Sequence, residues 1–368
     1  MLPLAPAPDA DAIKRARSVL KTVSVMGAIK LVLVDGVFVP ELSDAAEAGV
    51  SMKSLREALE SDDGNLLAGD ATEAMMSLNA AMATDGVVIS VADGASLAHP
   101  LQIIHVATAS KASIFTRSQL AIGEGARVTL VESFVGADDA KAYQASDAVM
   151  LSIGDHAELS HVRLLADSAD AANISSGICS VGAQVKYNLF NMTSGGALSR
   201  FSGFVTLKGE GSELNVNGVN LLKGTQHGDT TLVVDHSVPH CTSREIFRAV
   251  VDDRAHSVFQ GRIIVRPHAQ KTDGKMMTRA LLLSDEAEAD NKPELEIFAD
   301  DVTCGHGATA GALDESLLFY LRARGLPEKE AQALLIQAFV GEAIEGIAND
   351  DLREAVMAAA QRWLEARS

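Results

Sequence analysis

The chain has 368 residues, of which 47% are hydrophobic, 22% charged and 4% aromatic, and its formal net charge is −18. That apolar content supports a sizeable core in two or three domains or in one long solenoid, and it excludes a largely disordered chain. The acidic balance and the scarcity of aromatics exclude nucleic acid and anionic membrane as main partners, because both require basic surface.

No apolar run approaches the roughly 18 residues of a membrane span, and the N-terminal segment lacks the apolar stretch of a secretion signal. Cys179, Cys241 and Cys304 are far apart and odd in number. A disulfide framework is therefore not expected, and a reducing, cytoplasmic setting is.

Residues 10–26 predict a short helix with Ile13, Ala16, Leu20 and Val23 on one face. Two apolar runs around Asp35-Gly36 predict a β-hairpin. Helix formers dominate from Ser51 to Ala83. A helix over SMKSLREALE groups Met52, Leu55 and Leu59, and ATEAMMSLNAAMA predicts another after a Gly/Asp-rich break. Residues 1–84 thus read as a small α+β N-terminal module.

The texture changes at Asp85. Short Val/Ile/Leu/Thr runs alternate with Gly-containing turns through residue 312, and no helix is predicted there. A loose repeat places Ile122, Ile153, Val181 and Leu207 before successive Gly turns, at spacings of 31, 28 and 26. Such a period without intervening helices predicts a stacked β-solenoid over 85–312, with a β-sandwich or cupin-like barrel as the competing architecture.

Residues 313–368 predict a helical domain. Asp314 suits an N-cap, Gly325 the position just past a helix end, and Pro327 the first turn of the next helix. That second helix carries an apolar stripe of Ala331, Leu334, Leu335, Ala338, Phe339, Ala343 and Ile347, and a third helix runs to Ser368.

Motifs of phosphate loops, dinucleotide folds and zinc proteases are absent. In Val302-Thr303-Cys304-Gly305-His306, an extended backbone points Cys304 and His306 to one side. Thiolate and imidazole can supply half of a transition-metal or iron–sulfur site but not a whole one. The alternative is a buried Cys and a hydrogen-bonded His at a Gly-rich strand end. His227, His236, His240 and Cys241 fall within fifteen residues and could form a metal site, although adjacent strand residues face opposite ways. The alternative there is structural histidines between coils. Lys271 reads as a solvated turn lysine and Asp300-Asp301 as a surface turn.

The segments AQKTD (269–273), LEIFADDVTCGHGATAG (295–311) and FYLRARG (319–325), with the His-rich stretch before them, resemble the SufB/SufD family of iron–sulfur cluster assembly scaffolds. The similarity runs from about Val32 to the C-terminus. Met277-Thr278-Arg279-Ala280 lacks the cysteine of SufB-like chains, and Gly307 stands where those carry a glutamate, so the resemblance is to the SufD side. A W-K-Y-T segment usual near a SufD N-terminus is missing, and the sole tryptophan is Trp363.

The resemblance implies a mainly β chain: a right-handed parallel β-helix flanked by the N-terminal α+β module and the C-terminal helical domain. It implies a non-catalytic scaffold subunit whose C-terminal helices dock a SufC-type ABC ATPase around Phe319, Tyr320, Arg324, Gly325 and Phe339. It implies that the last β-helix strands pair with a SufB-type paralogue; an uncapped sheet edge would also favour a homodimer of the isolated chain. Cys304 and His306 would then lie near that interface and share a transient iron–sulfur cluster, with no cofactor stably bound by the isolated chain. The rival reading is a metal-dependent β-solenoid or cupin-like enzyme using His236, His240 and Cys241.

Overall fold

The computed structural model describes residues 2–61 and 73–366. The chain begins with α1 (Ala10–Val23), then β1 (Ile29–Val34), β2 (Val37–Phe38), β3 (Val50–Ser54), α2 (Leu55–Glu60), α3 (Ala74–Met82) and β4 (Val87–Val91). There follow β5 (Leu101–Ala107), β6 (Ser113–Ile122), β7 (Arg127–Gly136), β8 (Gln144–Ile153), β9 (Glu158–Ala166), β10 (Ala172–Val181), β11 (Lys186–Thr193) and β12 (Leu198–Leu207). The last strands are β13 (Glu213–Leu222), β14 (His227–His236), β15 (Thr242–Val251), β16 (His256–Val265), β17 (Asp273–Leu282), β18 (Glu288–Ile297) and β19 (Thr303–Gly311). Three helices close the described chain: α4 (Glu315–Ala323), α5 (Glu328–Ile344) and α6 (Asp350–Glu365).

From β4 onward, successive strands alternate between two parallel sheets, so the chain winds as a flattened parallel β-helix. Ile122, Ile153, Val181 and Leu207 stand in one ladder in direct register, and each is at most 3% exposed. Fully burying such a side chain stabilises by roughly 1.5–3 kcal/mol, which is why the sequence repeats an apolar residue once per coil. The ladder continues through His236 and Val265 to Ile297.

The turn after this ladder is also repeated. Gly94, Gly125, His156, Gln184, Gly211, His240 and Lys271 all hold left-handed φ between 55° and 72°. Two residues before the left-handed site, the turns press together: a Cβ on Gly209 would sit 2.0 Å from the Ala183 nitrogen. Side chains other than glycine fit the left-handed site because they point outward, and histidine tolerates that conformation better than most.

The two ends of the solenoid differ. At the N-terminal end, β2 runs antiparallel to β1, with Asp35 and Gly36 both at positive φ as a tight hairpin requires, and β3 runs antiparallel to β4. At the other end, among the described residues, β18 pairs only with β16 and β19 only with β17. α1 covers Val32, Val34, Ile104, Val106 and Val135 on the outer face of the odd-numbered sheet. Further along that face, α5 and α6 cover Val162, Phe190, Val219, Leu221 and Val250.

Two predicted elements differ from the structure. Residues 50–54 are a strand, and the helix starts only at Leu55, because Ser54 and Glu57 form a reciprocal capping box. Met52 therefore packs on the solenoid core while Leu59 stays exposed. The Gly/Asp-rich break lies largely outside the described residues, as do the last two residues of the predicted third helix. In α5 the buried face is Ala331, Ile336, Val340, Ala343 and Ile344, whereas Leu334 and Ala338 are exposed. Polar and apolar residues are spread round that helix, so periodicity alone selects no face, and the sheet beneath it does. Asp314 caps α4 by accepting from the Ser316 and Leu317 amides, and Gly325 follows at φ +93°.

Candidate functional site at the open end of the solenoid

β19 is the last rung of its sheet. Its Cys304 lies beside Gly274 and its His306 beside Met276 of β17. Cys304 is half-buried and packs against the interior core, so His306, two residues on, shares the inward side at the rim. His306 is exposed. Added Cβ atoms on Gly305 or Gly311 would meet nothing within 4 Å, so the outermost strand is open to a neighbouring backbone.

Burial pushes the Cys304 thiol up, with Asp273 and Glu245 adding to it against the Gly274 amide. A thiol held protonated in this way is a poor free nucleophile, and it becomes a ligand when a cation displaces its proton. Beneath the pair, Glu245 is fully buried in register with Met276, and burial drives its carboxyl up to about 8. Lys271 sits exposed in the turn and pairs with Asp301, as its turn reading requires, and Asp300 is exposed.

The histidine-rich stretch does not assemble. His236 occupies the core ladder with its Nε2 3.0 Å from Ser243 Oγ, and burial lowers its pKa to about 4. His240 is the left-handed turn residue of its coil, and the buried Cys241 thiol donates to the Gly209 carbonyl at 3.3 Å. His227 lies half-buried with its ring edge-on to His256 at 4.8 Å. Among the described residues, His236, His240 and Cys241 form no group of three donors around one point. The backbone turn at His240 separates them.

At the helical domain, α4 buries none of its residues. Phe319 is 74% and Tyr320 55% exposed, and the Arg324 guanidinium lies 5.0 Å over the Tyr320 ring. Phe339 differs: it is half-buried, with the Arg248 guanidinium 5.6 Å over its ring while Arg248 also pairs with Glu342.

A polar cluster that the motifs missed lies inside the early coils. Glu132 Oε2 accepts from Arg163 Nε at 2.5 Å and lies 2.8 Å from His161 Nε2, whose other nitrogen meets the Tyr187 hydroxyl. Across the interior, Thr116 donates to Asp147 Oδ1 at 2.8 Å, and His105 Nε2 is 4.0 Å from the same oxygen. Burial raises the Glu132 pKa, but Arg163 and His161 outweigh it and hold the carboxylate ionised. Burial and the Glu132 charge push Asp147 up to about 7, and burial takes His105 down to about 4. The signal was parity: Glu132 alternates with Val128, Leu130 and Phe134, and Asp147 with Val149, Leu151 and Ile153, on faces that are otherwise apolar.

A parallel β-helix capped at one end, open at the other and carrying helices on both sheets defines a β-solenoid protein. Two family models match it: SufBD protein N-terminal region over residues 19–103, and SUF system FeS cluster assembly, SufBD core domain, over residues 105–339. The chain is 32% identical to the iron–sulfur cluster assembly protein SufD of Escherichia coli over 337 residues, covering 90% of this chain and 78% of that protein. It is 30% identical to an iron–sulfur cluster assembly SufBD family protein of Synechocystis over 336 residues, 86% and 74% of the two chains. It is also 31% identical to the chloroplastic protein ABCI7 of Arabidopsis thaliana over 304 residues, 79% and 62% respectively. The chain belongs to the SufB/SufD family of iron–sulfur cluster assembly proteins. No helix among the described residues is long and apolar enough to cross a membrane.

Proposed function

We propose that this chain is a non-catalytic scaffold subunit that presents half of a cluster-assembly site at the open end of its solenoid. The observation that supports it most is the placement of Cys304 and His306. They stand on the terminal rung, where β18 and β19 leave backbone donors and acceptors without a next strand. A SufB-type paralogue adding its own edge strands would satisfy those groups and bring the missing ligands. Cys304 would serve as a thiolate once a metal displaces its proton, and His306 as a neutral imidazole donor or a proton acceptor. The cluster is cargo here, built and passed on.

The exposed Phe319 and Tyr320 of α4 support docking of a SufC-type ABC ATPase on the C-terminal helices. ATP-driven dimerisation of that partner would strain the junction at the solenoid end and open it to iron and sulfur. The test is cluster yield in the reconstituted three-protein complex with His306→Ala and Cys304→Ala. A strong loss with the complex intact is expected. Wild-type yield in both variants would leave the chain a structural partner only.

A further inference from the structure

We propose that the interior of the early coils holds a second site, for one divalent transition-metal ion, between His105, Glu132 and Asp147. Each residue offers a donor atom, and the three atoms lie within 4.8 Å of one another. Each also has one atom tethered and one without a hydrogen bond. Glu132 Oε2 is held by Arg163 and His161, while Oε1 has no partner. Asp147 Oδ1 takes the Thr116 hydroxyl, while Oδ2 has no hydrogen bond and lies 3.8 Å from Arg163 Nη2. His105 Nδ1 lies 3.4 Å from the Thr116 oxygen. The single Thr116 proton is committed to Asp147, so Nδ1 is the donor of that pair, and the bare lone pair is left on Nε2.

The His105 Nε2 is likewise without a hydrogen-bond partner, and the ring is fixed by stacking on Phe134 at 4.4 Å. The two carboxylates are at least 97% buried, and buried carboxylate oxygens without partners are costly unless an ion or water meets them. One small cavity is lined by His105, Thr116 and Asp147 and another by Glu132, His161 and Arg163, and neither is lined by all three donors. One imidazole and two carboxylates suit Fe(II), Mn(II) or Zn(II) and leave Cys304 and His306 uninvolved. Arg163 holds the far oxygen of Glu132 through Nε and faces Asp147 Oδ2 through Nη2, so its charge competes with the ion and tempers the affinity.

The site is independent of the reading of the solenoid end, and the experiment keeps the two apart. The full chain carrying Cys304→Ser and His306→Ala is equilibrated anaerobically with Mn(II) or Co(II), both as folded and by refolding in the metal. Bound ion is measured by equilibrium dialysis and by the Co(II) absorption spectrum. One ion per chain is expected, with ligand-field bands and no thiolate charge-transfer band. Asp147→Asn and His105→Gln, with folding checked by circular dichroism, should each weaken binding by about 10–100-fold or more. No bound ion after refolding in the metal, or a thiolate band, or affinity unchanged in both variants, would overturn the proposal and leave water as the occupant.

Discussion

Glu245 allows a sharp test of how the solenoid interior treats charge. It faces inward from β15, two strands below His306, and has no exposed surface. Burial drives its carboxyl up to about 8 from an ordinary value of 4.5, against partial pull from the Ser243 hydroxyl. Below pH 4.5 both folded and unfolded chains hold the proton, and Glu245 costs nothing through ionisation. Between there and pH 8 the unfolded chain ionises while the folded one does not, so stability falls as pH rises. The gap of about 3.5 pH units at ~1.4 kcal/mol each sets an upper bound of about 5 kcal/mol on that loss. Glu245→Gln keeps the shape and removes the titration. Urea denaturation of both proteins across this pH range should show the variant gaining a few kcal/mol over wild type as pH rises. Any constant offset from the new amide drops out of that slope. A difference that stays flat with pH would refute the reasoning and mean that the carboxylate is solvated.

Gly209→Ala should destabilise the chain by ~1–3 kcal/mol or more, since the new carbon meets the Ala183 backbone nitrogen at 2.0 Å and one coil must move off the next. A lowered thermal midpoint is the check, and an unchanged one would mean that the turns do not press as closely. Phe319→Ala should leave stability within ~0.5 kcal/mol because the ring is 74% exposed. On the proposed docking of a SufC-type ATPase, affinity for that protein should nonetheless fall by ~2 kcal/mol or more in titration calorimetry, the scale of an interface anchor. Unchanged affinity would remove α4 from the docking surface.

How much was legible from sequence follows from the architecture. In a solenoid each coil packs only on its neighbours, so a spacing along the chain becomes a distance in space. Ile122, Ile153, Val181 and Leu207 were therefore recognisable as one stack from their spacing alone, and the register confirms them. The same logic carried the Cys304–His306 pair, whose common side follows from strand alternation. It failed for His240, since a residue at a left-handed turn has no strand parity to read.

His105, Glu132 and Asp147 come from β5, β7 and β8, two on one sheet and one on the other. Their meeting depends on the register of both sheets and on the width of the solenoid, neither of which is written in any local pattern. The face of α5 was undetermined for a related reason: with polar and apolar residues spread round the helix, the sheet beneath it decides which side is buried. Local periodicity and turn chemistry thus determined the coils and the placement of Cys304 and His306 two residues apart on the last rung. The interior polar cluster, the buried face of α5 and the difference between a capped and an open end were decided by packing across coils, where contacts join residues with no fixed spacing in the chain.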